Sequence, residues 1–251
     1  MTPWLKNVAD TAKTTAERWL VERVPRDHWE TDEAFRHRRR VVAGVSMAGA
    51  GLLGYSLSTR PGSRAFYATT LAVAATWAGG GLASGPLHLG WMRTREQRLR
   101  RPVVTPVVLG AGAFAGFYGL AVVSRRIDVL DRSIASILSY ADQGSTPLVL
   151  TTTLANAVGE EIFFRGALYA AVGRRRPVVL STAAYAAATV STRNPALVLA
   201  SGVMGALFAV QRRATGGIEA PVLTHLTWST LMLHYLPPLY AGRADLHDQR
   251  R

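Results

Sequence analysis

The chain has 251 residues, 49% of them hydrophobic and only 18% charged, with 29 Lys and Arg against 16 Asp and Glu and no cysteine. A charged share below the roughly 25% of soluble proteins, in a chain this apolar, excludes intrinsic disorder and argues against an ordinary soluble domain. The lack of cysteine excludes disulfide frameworks, Cys-ligated zinc, iron–sulfur clusters and thiol nucleophiles.

The net charge of +13 raises nucleic acid as a partner, and the placement of the charges argues against it. Residues 1–40 set nine basic groups against seven acidic ones, whereas residues 41–251 hold twenty Arg, no Lys and nine acids. Those Arg fall in short clusters, such as Arg93 to Arg101, Arg174 to Arg176 and Arg212 with Arg213. Long uncharged runs lie between them, as in a membrane protein. No nucleic-acid partner is expected, and the lipid bilayer is.

In chain order, residues 1–40 lack the apolar core of a signal peptide and are expected to be retained as a cytoplasmic juxtamembrane segment. Trp4, Leu5, Val8, Trp19, Leu20 and Val24 recur there at loosely helical spacing, which fits either a helix on the leaflet or a solvated tail. Uncharged runs follow at 41–59, 65–92 and 102–124, read as three N-terminal transmembrane helices within 41–124. Residues 127–141 alternate Ile127, Val129, Leu130, Ile134, Ile137 and Leu138 with charged groups, and predict an amphipathic helix on the outer surface within 125–142. A core over 143–242 holds the uncharged runs 143–159, 177–192, 194–211 and 220–242, the first extended through a charged patch to about Gly173. Residues 243–251 form a polar tail.

The fold expected is all-α, a polytopic transmembrane helical bundle of about seven spans. Gly49, Gly51, Gly79, Gly80, Gly81, Gly110, Gly112 and Gly116 suit close helix packing in lipid. With the N-terminus inside, the cytoplasmic segments hold fourteen Arg and the outer ones nine, so the expectation is an integral, multi-pass protein with a cytoplasmic N-terminus in a bacterial plasma membrane.

Charge inside a span is expensive, so it marks where function is sought. The fourth span reads Glu160-Glu161-Ile162-Phe163-Phe164-Arg165-Gly166. At about 100° per residue, Glu161 and Arg165 share a face and can pair, while Glu160 points elsewhere, toward Asn156 and another helix. Glu161 is thus held and Glu160 is left available as a general base or acid. In the seventh span His225 and Ser229 stand four apart on one face, beside Thr224, as two donors that can meet a developing oxyanion. The plainer alternative is that these groups are polar glue between helices.

The string from Glu160 to Gly166 resembles the Glu-Glu-x-x-x-Arg motif of the CPBP intramembrane proteases, the group that includes CAAX prenyl endopeptidases and bacteriocin-processing or immunity proteins. The resemblance covers about residues 143–236. It implies that Glu160 is the catalytic glutamate that activates water, with Glu161 and Arg165 as its supporting pair. The family's second motif, Phe-x-x-x-His, falls on Tyr185 to Thr189, so Thr189 stands where His is expected and is left to orient water. The third, His-x-x-x-Asn, falls on His225 to Ser229, with Ser229 in place of Asn and His225 with Ser229 as oxyanion contacts. A threonine cannot exchange its proton near neutral pH as imidazole does, and a general acid–base group contributes about 10²–10⁴-fold.

These readings give a glutamate-type intramembrane endopeptidase acting on a membrane-associated protein or peptide that enters from the bilayer or the cytoplasmic side. No cofactor is expected. Zinc is disfavoured because a catalytic zinc takes three protein ligands and only Glu160, Glu161 and His225 remain, with Glu161 claimed by Arg165. The alternatives are a catalytically impaired relative that binds or assembles membrane partners, and a transporter-like role for Glu160.

Overall fold

The computed structural model describes residues 30–93, 96–173 and 176–240. The N-terminal Trp and Leu positions and the polar tail lie outside the described residues. The helices are α1 (Asp32–Ser56), α2 (Arg64–Ala83), α3 (Val104–Ser124), α4 (Asp128–Asp142) and α5 (Thr146–Glu160). From α5 the chain runs through a π-helical segment (Glu161–Leu168) into the single turn α6 (Tyr169–Ala171), then α7 (Pro177–Val190), α8 (Pro195–Thr215) and α9 (Glu219–Tyr240). Two-residue strands, β1 (Met92–Arg93) and β2 (Leu99–Arg100), pair antiparallel with Met92 opposite Arg100.

Helix starts follow local chemistry. Thr31 Oγ1 accepts from the Ala34 N–H, with Asp32 and Glu33 in the first turn of α1. Ser63 Oγ caps α2 through Phe66 N–H, and Asn194 Oδ1 caps α8 through Leu197 N–H, ahead of Pro195 at the first helical position. Helix α1 therefore begins within the charged stretch before residue 41, because the caps that start a helix do not coincide with the limits of an uncharged run. Arg38, expected as a loop charge, is 3% exposed. Its guanidinium donates to Glu30 Oε1 at 2.6 Å, Ser84 Oγ at 3.0 Å and the Pro86 carbonyl at 3.1 Å.

The uncharged run 65–92 is not one helix. Helix α2 stops at Ala83, and Gly85 (φ 132°) and Gly90 (φ 91°) take backbone conformations that side chains disfavour. The chain between them folds across the α8–α9 turn: Ile218 N donates to His88 O, Glu219 N to Leu89 O, and Trp91 N to Thr215 O, at 2.8–2.9 Å. Absence of charge does not distinguish a helix from a Gly- and Pro-containing loop that a neighbour covers.

The core is built on the π segment. Trp77 of α2 is fully buried, its ring 4.7 Å from Phe163 and 4.9 Å from Phe164. Val42 of α1 and Ala188 of α7 join the same cluster. Close approach depends on small residues: a Cβ on Gly159 would stand 2.7 Å from the Ala74 carbonyl, and one on Gly110 2.7 Å from the Thr224 carbonyl. Of the glycines expected at crossings, Gly49, Gly80, Gly81 and Gly110 meet a neighbouring helix, whereas Gly51, Gly79, Gly112 and Gly116 face open space. The N-terminal helices are thus packed onto the later ones, α2 against α5 and α3 against α9.

Helix α4 has the amphipathic character expected of 127–141, and its Leu138 packs with Ala121, Leu236 and Tyr240. At that end of the bundle Tyr140 donates to the Leu57 and Thr59 carbonyls, and Asn194 Nδ2 donates to the Ser133 carbonyl. The loop from 84 to 93 and the α8–α9 turn gather at the other end.

The all-α class holds, apart from the short strand pair. Seven spans do not follow from it: α3 and α8 are long and apolar enough to cross a membrane, and α7 is apolar but has 14 residues. Val104, Val108, Leu120 and Val123 of α3 point outward, an apolar face suited to lipid. Gly159→Val should lower the thermal midpoint in detergent, with a cost of about 1–3 kcal/mol for forcing α2 and α5 apart. Gly112→Val, at an open position, should leave the midpoint where it is; equal effects would contradict the packing described.

Candidate active site

The segment from Glu161 to Leu168 is wound as a π-helix rather than the α-helix that the sequence reading assumed. Such segments are rare and recur at functional sites, because they re-aim side chains and shift carbonyl groups. Two neighbours hold carbonyls here. Ser181 Oγ of α7 donates to Phe164 O at 3.0 Å, and Arg212 Nε of α8 donates to Arg165 O at 2.7 Å, with both donors buried.

Glu161 and Arg165 keep the pairing expected from their spacing, since a step of four residues stays on one side of the wider turn. Both side chains are 0% exposed, and Arg165 Nη1 donates to Glu161 Oε1 at 3.2 Å. Arg165 Nη2 reaches the Gly205 carbonyl at 3.3 Å, and its guanidinium lies 4.5 Å from the Tyr185 ring centre and 5.0 Å from that of Phe208. The cation is therefore lodged among aromatic rings rather than in water.

His225 of α9 completes the cluster. Its Nδ1 is 2.9 Å from Glu161 Oε1, and its ring stacks on Phe208 with centroids 4.7 Å apart. An ionised carboxylate has only acceptors, so Nδ1 carries the hydrogen and donates it. Nε2 is then the ring nitrogen left for other partners.

Glu160 is placed differently. It is half-buried where Glu161 is fully buried, so the adjacent carboxylates differ in how completely they are enclosed. The Tyr185 hydroxyl of α7 donates to its Oε2 at 2.5 Å. Glu160 thus meets another helix, as its spacing from Glu161 suggested, while Asn156, one turn earlier, donates from Nδ2 to the Thr70 and Thr152 carbonyls.

Residues 142–231 match the family model described as type II CAAX prenyl endopeptidase Rce1-like. This segment is similar to that family. No curated protein and no solved structure matches the chain. The family is membrane-embedded, in keeping with the outward apolar face of α3.

Within the matched segment the structure brings Glu160, Glu161, Arg165 and His225 together. Thr189 and Ser229 are buried, and among the described residues neither makes a hydrogen bond to a glutamate. The Thr189 hydroxyl instead donates to the Tyr185 carbonyl at 2.9 Å, within its own helix. Thr224 serves packing: Gln211 Nε2 donates to its Oγ1 at 2.7 Å, and that hydroxyl donates to the Pro106 carbonyl, joining α8, α9 and α3. Tyr185 was read only as a retained aromatic. Its hydroxyl was the available signal, since a buried tyrosine needs a polar partner. Among the described residues no group of three His, Asp or Glu is placed to hold a metal ion.

Removing one partner of a fully buried pair leaves an uncompensated charge, which typically costs about 3–5 kcal/mol. Arg165→Met should therefore destabilise the protein by about that amount, and the double variant Glu161→Leu/Arg165→Met should recover a large part of it. Thermal or denaturant unfolding in detergent measures both; a double variant as unstable as the sum of its singles would show that the pair is not coupled.

Proposed function

We propose that this chain is an intramembrane endopeptidase of the CAAX-protease type, in which Glu160 activates a water for attack on a peptide carbonyl. The observation that carries this reading is the contrast between the half-buried Glu160 and the fully enclosed Glu161, bound by Arg165 and His225. One carboxylate is committed to structure, and its neighbour keeps an oxygen, Oε1, with no hydrogen bond among the described residues.

In the proposed reaction Glu160 Oε1 takes a proton from water as the oxygen adds to the carbonyl carbon. The C–N bond then breaks, and the same proton passes from Glu160 to the leaving nitrogen, giving a carboxylic acid, which keeps the second water proton, and an amine. His225 Nε2, the ring nitrogen not engaged by Glu161, contacts the attacking water or the developing oxyanion. A metal is not required by this scheme: the Glu161 oxygen and the His225 nitrogen nearest each other are engaged together. The substrate is a membrane-associated protein or peptide, prenylated or not, that reaches the site from the bilayer or from the cytoplasmic side. The same reading makes the chain a multi-pass protein whose Arg-rich end, with the 84–93 loop and the α8–α9 turn, faces the cytoplasm.

A second reading, a binding or assembly protein with the same fold, draws support from Thr189. With its hydroxyl on the Tyr185 carbonyl, no imidazole or other proton carrier stands on that turn of α7. The test is cleavage by purified protein in proteoliposomes of membrane peptides offered with and without a C-terminal prenyl group. Wild type should cleave, and Glu160→Gln should lose about 10²-fold or more, the share of a general base. Cleavage that survives in Glu160→Gln would remove Glu160 from the reaction. A wild type that cleaves nothing until Thr189→His is introduced would favour the binding protein.

A further inference from the structure

A carboxylate has two equivalent oxygens, and a base that must act at one of them gains from having the other tied. At Glu160 the tie is the Tyr185 hydroxyl, which donates to Oε2 at 2.5 Å. A phenol donating to an ionised carboxylate makes a charge-assisted hydrogen bond, about twice as strong as a neutral one. The phenol cannot easily swing away. Its ring lies 4.8 Å from that of Phe164 and has the Arg165 guanidinium 4.5 Å from its centre. On the side of α8, a Cβ at Gly205 would stand 3.1 Å from the ring's Cδ1, so the absence of a side chain there makes room for the ring. The same Gly205 accepts from Arg165 Nη2, and the Tyr185 carbonyl accepts the Thr189 hydroxyl. Ring, backbone and hydroxyl of Tyr185 are thus all fixed, and the fixed hydroxyl ends on Glu160.

We infer that Tyr185 is a positioning residue for Glu160: it holds Oε2, turns Oε1 toward the substrate side, and is itself held by Gly205, Arg165 and Phe164. Helix α7 thereby contributes to the reacting group although its own turn at Thr189 does not reach it. This rests on the endopeptidase reading for its effect on rate, while the hydrogen bond has a signature independent of activity.

The test compares wild type, Tyr185→Phe and Gly205→Ala, using the peptides that wild type cleaves and infrared difference spectra, with the Glu160 carboxyl band identified by its loss in Glu160→Gln. Tyr185→Phe keeps the ring and removes only the hydroxyl. It should lower kcat roughly tenfold to a hundredfold, the scale of a small misplacement of a reacting group, with KM within about twofold. It should also move the Glu160 carboxyl band and leave the thermal midpoint unchanged. Gly205→Ala keeps the hydroxyl but crowds the ring, and should lower kcat with a smaller shift of the same band. A Tyr185→Phe variant with wild-type kcat, or one that loses stability and KM along with kcat, would overturn the positioning role. An unmoved band would overturn it whatever the activity. If wild type cleaves nothing, the endopeptidase reading fails, and a shifted band then shows that the hydrogen bond exists without serving catalysis.

Discussion

Glu161 and Arg165 lie where neither has any exposed surface, and the price of enclosing them is met only if each finds its partners inside the bundle. The helices around them are arranged accordingly. Helix α9 supplies His225 to the carboxylate, α8 supplies the Gly205 carbonyl and the Phe208 ring to the guanidinium, and α7 supplies the Tyr185 ring. A pair formed within one turn therefore determines how three other helices meet the segment that carries it. Breaking that pair strands a charge in a setting with no water to receive it.

The π-helical winding is the backbone counterpart of the same constraint. It runs from Glu161 to Leu168, with a carbonyl taken by Ser181 from one side and another by Arg212 from the other. Trp77, Phe163 and Phe164 fill the opposite face, and Gly81 and Gly159 allow α2 to approach it. Packing and charge pairing thus converge on one stretch of eight residues. Glu160, the last residue of α5, lies just before that stretch and is not enclosed by it.

Several of these features could be read in the sequence. The Glu161–Arg165 spacing needs no tertiary information, and neither does the amphipathic pattern that became α4, because both are local and periodic. The family relation rested on a short string of charged residues that is conspicuous in an apolar chain. Other features were out of reach. The loop after Ala83 carries no charge and so resembled the rest of a span, although Gly85 and Gly90 turn it across the α8–α9 turn. Nothing local distinguishes α from π winding at Glu161. The partners that other helices bring to Glu160 and Glu161 could not be named for a related reason. Which carboxylate meets Tyr185 and which meets His225 depends on helix rotation, and the order of residues along the chain does not report it.

The central claim is a division of labour between adjacent carboxylates, Glu161 for assembly and Glu160 for chemistry. The thermal unfolding midpoint of Glu160→Gln and Glu161→Gln, measured side by side in the same detergent, addresses it most directly. The account predicts a wild-type midpoint for Glu160→Gln and a clearly lower one for Glu161→Gln, whose loss of charge leaves Arg165 buried without its counterion. Equal midpoints, or a larger loss in Glu160→Gln, would contradict it.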